Sequence, residues 1–252
     1  MHPPVGMAAP VAAGDANPWG PPDLSWSGDP AQQLCRFSFA GQQLCVSQSG
    51  GEEASRGEGG KSLQDAVRLG NTGLVVWPSA SVLCRYIEFA HGRGALDLAG
   101  ASVLDLGAGT GLLGLCCGCF GGRVVLSDFA PPVLSLLHHN AAANAAALAT
   151  GELRVAQFDW RQPFPLPAAA VQALSSRRAQ GGVGRAAFDY VVATDVLFSE
   201  ESAVLLASVL DALCDEHSQV LLANEELWSY HEELEAAAEA VGFECRVVVS
   251  GE

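Results

Sequence analysis

Ser102-Val-Leu-Asp105-Leu-Gly107-Ala108-Gly109-Thr-Gly111-Leu-Leu-Gly114 decides how this 252-residue chain is read. A short run of strand character ends at Leu106, glycines then alternate with small residues, and an apolar helical stretch continues to Phe120. Strand, glycine-rich turn and helix bring the helix amides up to a bound ligand with little side-chain bulk in between. Gly109-Thr-Gly111-Leu-Leu-Gly114 fits the dinucleotide pattern G-x-G-x-x-G, a weak signal when it stands alone. Asp105, two residues before Gly107, tips the balance, because an anion there suits a cationic ligand and repels a pyrophosphate.

Working outward, strand alternates with helix, the pattern of a mainly parallel, doubly wound α/β sheet of Rossmann-like type. Strands are predicted at 102–106, 123–127, 153–158, 188–193, 219–223 and 243–249. Helices are predicted at 79–90, 111–120, 131–149, 200–217 and 229–241, with Pro131-Pro132 opening the third. Upstream, Arg36-Phe-Ser-Phe-Ala and Gln42-Gln-Leu-Cys-Val-Ser alternate apolar with polar residues around Gly41 and predict a β-hairpin. Residues 1–31, rich in Ala, Pro and Gly, are expected to be a disordered tail. Residues 32–61 carry the hairpin and a Gly/Glu/Ser linker, and 62–252 form one domain. Within it, 161–187 is expected to be an inserted loop with a short helix at 168–175. The last antiparallel strand usual in this fold class is not expected within the sequence, so either the sequence is a truncated piece or another segment is expected to cover an edge that would otherwise invite aggregation.

A cationic ligand on such a turn points to S-adenosylmethionine, whose sulfonium and amino group carry positive charge. Asp128, at the end of the second predicted strand, is placed to accept hydrogen bonds from ribose hydroxyls, or else to cap the helix after it. Asp159 and Trp160 follow the third strand, where an adenine would sit and an indole could pack on it. A dehydrogenase lacks its chemistry: Lys61 is the only lysine and precedes Tyr86, Tyr190 and Tyr230, so no Tyr-x-x-x-Lys pair exists.

The net charge of -15 works against a phosphate backbone and favours a basic partner. No apolar run reaches the ~20 residues of a membrane-spanning helix. The first thirty residues contain no Lys or Arg, so neither a secretory signal nor a transit peptide is expected, and the location expected is cytosolic or nuclear. Eight cysteines have no paired CxxC spacing, so no metal site is expected. Cys116, Cys117 and Cys119 read as buried apolar residues, and a Cys35–Cys45 disulfide across the hairpin is not expected. His138 and His139 are adjacent on a helix and diverge, so they are not paired as ligands.

Together these motifs resemble the lysine-methyltransferase-like group of seven-strand proteins that methylate non-histone proteins. The resemblance runs from about Leu34 to Val249. It rests on the hairpin, Gly73-Leu-Val-Val-Trp77-Pro78, the glycine turn, Leu126-Ser-Asp128, Asp159-Trp160 and Ala193-Thr194-Asp195-Val-Leu-Phe198. It implies donor contacts from Trp77, Gly107, Gly109, Asp128, Trp160 and Thr194, to which the turn itself adds Asp105, Ala108 and Gly111 and the end of the third strand adds Asp159. Asp195 and Phe198 would face the target amine, Phe198 standing where the family more often has tyrosine. The implied activity is methylation of a lysine on a protein by a monomer. Asp195 would draw in the ammonium, carbonyls near Ala193 and Thr194 would orient it, and Phe198 would wall the channel. Two alternatives remain from the residues themselves: a donor-binding scaffold without turnover, and an arginine or small-molecule methyltransferase.

Overall fold

The computed structural model describes residues 34–48, 71–149, 152–161, 188–224 and 230–248. The tail expected at 1–31, the linker at 50–61 and the insertion from 162 to 187, with its short helix, lie outside the described residues.

The hairpin forms as its alternation predicts. β1 (Leu34–Phe39) pairs antiparallel with β2 (Gln42–Ser47) through Ala40-Gly41, both at positive φ, the handedness that matches strand twist in two-residue hairpin turns. Cys35, Phe37, Phe39, Leu44 and Val46 face inward. Cys45 lies opposite Arg36, with Nη1 3.1 Å from its sulfur, while Cys35 pairs with Val46 on the other face. The two thiols point apart, and all eight cysteines are free.

Five parallel strands make the central sheet in the order β5-β4-β3-β6-β7: β3 (Ser102–Leu106), β4 (Arg123–Asp128), β5 (Leu153–Gln157), β6 (Tyr190–Thr194) and β7 (Gln219–Ala223). The helices are α1 (Pro78–Gly92), α2 (Leu112–Cys119), α3 (Pro131–Asn144), α4 (Glu200–Leu213) and α5 (His231–Ala240). β3 is buried along its whole length, as expected of a central strand covered on both faces. Its side chains divide with period two. Val103 joins a core shared by the hairpin, α1, α2 and α3, whereas Leu104 and Leu106 join one shared by α4 and α5. Each fully buried Leu or Val contributes about 1.5–3 kcal/mol.

Local chemistry explains the ends. Pro78 and Pro131 open α1 and α3 at positions where a missing N–H costs nothing. α4 begins with a capping box in which Ser199 Oγ accepts from Ser202 N–H (3.1 Å) and Ser202 Oγ accepts from Ser199 N–H (2.9 Å). It stops at Leu213 and not at His217, because Asp215 Oδ1 accepts the His217 N–H at 2.9 Å and folds the chain into a local turn. α3 likewise gives way after Asn144 to a 3₁₀ turn, Ala145–Ala147.

The sixth strand expected at 243–249 does not form over its described part, 243–248. The Phe243 N–H donates to Ala238 O of α5 at 3.0 Å, and residues 243–248 join no ladder of the sheet. Phe243 instead packs on the α4–α5 core, while Val247 is 81% exposed. Among the described residues no helix is long and apolar enough to cross a membrane, and no group of His, Cys, Asp and Glu could hold a metal ion.

Candidate functional site

Strand order reverses between β3 and β6, so their connections leave to opposite sides and open a crevice beyond the carboxyl ends of the strands. Gly107, Gly109, Asp128, Thr194 and Asp195 lie along that edge, and Trp77 stands just before α1.

The glycine turn leaves β3 there. Gly107, Gly109 and Gly111 all have positive φ, and the turn is fixed by Ala108 N–H to Ser127 O (2.8 Å) and Gly111 N–H to Ala108 O (2.7 Å). Gly109 is needed twice over. Its φ is +54°, and a Cβ there would stand 3.2 Å from the carbonyl oxygen of Gly73, in the 3₁₀ turn Asn71–Leu74. That turn is therefore a second wall of the site, and Trp77 is tied to it by its indole N–H donating to Thr72 O at 2.9 Å.

Asp128 ends β4 beside the turn. Its Oδ2 accepts the Gly109 N–H at 3.1 Å, and its Oδ1 accepts from Phe129 N–H (2.7 Å) and Ala130 N–H (3.3 Å). It fixes the backbone before α3 without capping that helix, and it presents a carboxylate at the glycine turn. Burial pushes its pKa up, while those three N–H groups and the Arg161 cation pull it back.

Asp105 takes a deeper place than its position in the motif suggested. It is 1% exposed, beneath the turn, and Oδ2 accepts the Gly114 N–H at 2.8 Å. It fastens β3 to the first turn of α2. Burial pushes its pKa to about 7, opposed by the Gly114 hydrogen bond and assisted by nearby Asp128. Because the folded value lies above the ordinary one, the protonated fold is favoured: the contribution is full below pH ~4 and is lost as pH rises through 7. The protein is therefore expected to be about 2 kcal/mol less stable at pH 8 than at pH 5.5 from this group. Asp105→Asn, which keeps an oxygen for Gly114, should flatten that slope in urea titrations at the two pH values; an unchanged slope would refute the assignment.

Past β5, Asp159 is ion-paired with Arg161, Nε to Oδ1 2.9 Å, and the Arg161 guanidinium lies 3.9 Å from the centre of the Phe129 ring. Trp160 is buried beside Phe158 in the α4–α5 core, so most of its indole packs inward. Phe129 and Arg161 were not singled out from sequence; only their adjacency to Asp128 and Asp159 hinted at them.

On the other side of the crevice β6 ends at Thr194, and Asp195 follows it. Asp195 is a non-glycine residue at φ +54°, buried, with its N–H donating to Ala223 O at 2.9 Å. Its carboxylate Oδ1 accepts the Ser79 hydroxyl at 2.8 Å. It does not cap α4, because Ser199 does. Phe198 is half-buried on the loop that follows, its N–H donating to Ser202 Oγ. Asn224, next along the same sheet edge, has a buried side-chain N–H₂ with no partner among the described residues, a donor that sequence gave no reason to notice.

The arrangement is a carboxylate at the end of β4, a small-residue turn at the end of β3, a buried carboxylate just after β6 and a Phe129 ring covered by Arg161. It suits a ligand with hydroxyls to be accepted, positive charge to be matched and an apolar base to be covered.

Comparison with known proteins agrees. Residues 62–234 match the family model described as lysine methyltransferase. Over 160 residues the chain is 31% identical to the protein N-lysine methyltransferase METTL21A of Danio rerio, covering 64% of this chain and 63% of that protein. Over 200 residues it is 28% identical to the EEF1A lysine methyltransferase 3 of Mus musculus, covering 78% of this chain and 68% of that one. The chain thus matches just under two thirds of the length of the first of these. Among solved structures, a putative SAM-dependent methyltransferase from Streptococcus mutans superposes with a TM-score of 0.51 at 13% identity, over 83% of this chain and 46% of that one, a likeness of fold. A family match over so much of the chain, on the fold and crevice just described, is decisive: the chain belongs to the lysine methyltransferase family.

Proposed function

We propose that this protein binds S-adenosylmethionine across the carboxyl ends of β3 and β4 and transfers its methyl group to a lysine amine of a non-histone protein. The observation that carries the reading is the placement of Asp195, buried and held by Ser79, across the β3–β6 crevice from the glycine turn that Asp128 adjoins. The residues present fit the donor. Asp128 would accept its ribose hydroxyls, Phe129 and the edge of Trp160 would flank its base, and the close Gly109–Gly73 approach leaves a turn without side chains beneath its amino-acid part.

The donor supplies a methyl group already activated on sulfur, so the protein's task is to bring a neutral amine into line with it, which gains effective concentration. A lysine ammonium loses its proton to solvent before the new N–C bond forms and the S–C bond breaks. Asp195 attracts and orients the amine, the Thr194 carbonyl at the strand end fixes its direction, and Phe198 closes the apolar wall. The charge of -15 favours a lysine-presenting, basic protein over nucleic acid. Eight free thiols accord with a reducing compartment, the cytosol or nucleus, where the chain would act as a monomer.

With labelled donor and lysate protein, Asp195→Asn is expected to lower the initial rate at least tenfold while calorimetry gives a donor Kd within about twofold of the parent. Equal rates would remove Asp195 from the reaction. Absence of donor binding by the parent protein would remove the donor assignment itself.

A further inference from the structure

The geometry points to Ser79 as a positioning residue that sets the direction of the Asp195 carboxylate. This rests on the reading of Asp195 just given and adds a group that neither the motif nor the family resemblance assigned. Ser79 is the second residue of α1, directly after Pro78, and is buried. A serine this early in a helix commonly turns its hydroxyl to the helix's own first-turn amides. Here the hydroxyl leaves α1 and donates to Asp195 Oδ1 at 2.8 Å, joining residues 116 apart in sequence.

The backbone around Asp195 explains why such a bond is useful. At φ +54° the residue occupies a conformation that side-chain-bearing residues seldom hold unless the surroundings impose it. Its N–H is held by Ala223 O of β7, and the loop it begins is held further on by Ser202 Oγ, which accepts from both Phe198 N–H and Ser199 N–H. The main chain is thus fixed from the β7 and α4 sides. Ser79 reaches the side chain from the α1 side, so the carboxylate plane is set by two elements that meet at the crevice. The first turn of α1 also presents the positive end of a fifteen-residue helix to an anion, which strengthens the hold. A purely structural link between α1 and β6 would be made more cheaply by apolar packing than by burying a carboxylate and a hydroxyl together.

Ser79→Ala removes one oxygen and leaves the fold's packing intact. It is expected to lower the maximal methylation rate with labelled S-adenosylmethionine and lysate protein about tenfold, with the donor KM and calorimetric Kd unchanged. Ser79→Thr, which keeps the hydroxyl, should restore most of the rate. In an Asp195→Ala background Ser79→Ala should have no further effect, because the group it acts through is gone. Crystal structures of the parent and Ser79→Ala proteins supply a readout that needs no turnover: the Asp195 carboxylate should rotate in the variant. A Ser79→Ala protein with the parent's rate, or with the Asp195 side chain unmoved, overturns the inference. A parent protein that labels no protein defeats the methyltransfer reading instead, and the crystal structures then decide on Ser79 alone.

Discussion

Asn140→Ala should lower the free energy of unfolding by about 3–6 kcal/mol, the largest loss expected from a single side chain outside the apolar core. Asn140 is fully buried on α3 and makes three hydrogen bonds to backbone. Its Oδ1 accepts Ser47 N–H (2.9 Å), and its Nδ2 donates to Ser47 O (3.0 Å) and to Thr110 O (2.9 Å). One helical turn later Asn144 repeats the grip, accepting Cys45 N–H and donating to Cys45 O, both at 2.8 Å. Residues four apart on a helix thus meet residues two apart on a strand, because both spacings bring side chain and backbone to the same side. Truncating Asn140 leaves Thr110 O and the part-buried Ser47 N–H and O without this partner, at about 1–2 kcal/mol for each of the three. Thr110 belongs to the glycine turn, so donor affinity should fall along with stability. Equilibrium urea unfolding of the variant checks the first effect, and a loss below about 1 kcal/mol would show that water replaces the amide.

Gly109→Val is expected to weaken donor binding at least a hundredfold. A β-branched residue at φ +54° costs about 1–3 kcal/mol in backbone strain alone. Its Cβ would also stand 3.2 Å from Gly73 O and 3.4 Å from Gly73 Cα, and backbone cannot give way as a flexible side chain does. The turn must shift, carrying the Gly109 N–H away from Asp128 Oδ2 and the acid away from its place. Titration calorimetry with S-adenosylmethionine measures the loss, and thermal melting separates it from unfolding. A variant that binds within threefold of the parent would show that the turn is not the donor's seat.

What could be read from sequence follows the range of the interactions. The strand, turn and helix around Asp105 and Gly107 came through because period-two and helical patterns are local, and so did the hairpin, whose inward residues alternate without a break. That Asp128 and Asp195 would lie on one edge was legible because one ends a strand and the other follows one, and strand ends share one edge of a parallel sheet. The ties among those strand ends did not. Ser79 with Asp195, and Asn140 and Asn144 with the hairpin, pair groups some 93 to 116 residues apart, and neither serine nor asparagine signals its partner. The depth of Asp105 was hidden for a related reason, since its distance from the crevice is set by how α2 seats on β3. The strand expected after Phe243 failed because alternation shows that a segment could pair, not that a neighbour is present.

The grip on the hairpin has an evolutionary side. Asn140 and Asn144 hold only main-chain atoms of Cys45 and Ser47, groups every amino acid but proline provides. Mutations at those two hairpin positions therefore leave the docking intact, while mutations of the two asparagines do not. The solvent face of the hairpin is a surface whose side chains can drift without loosening the domain beneath it.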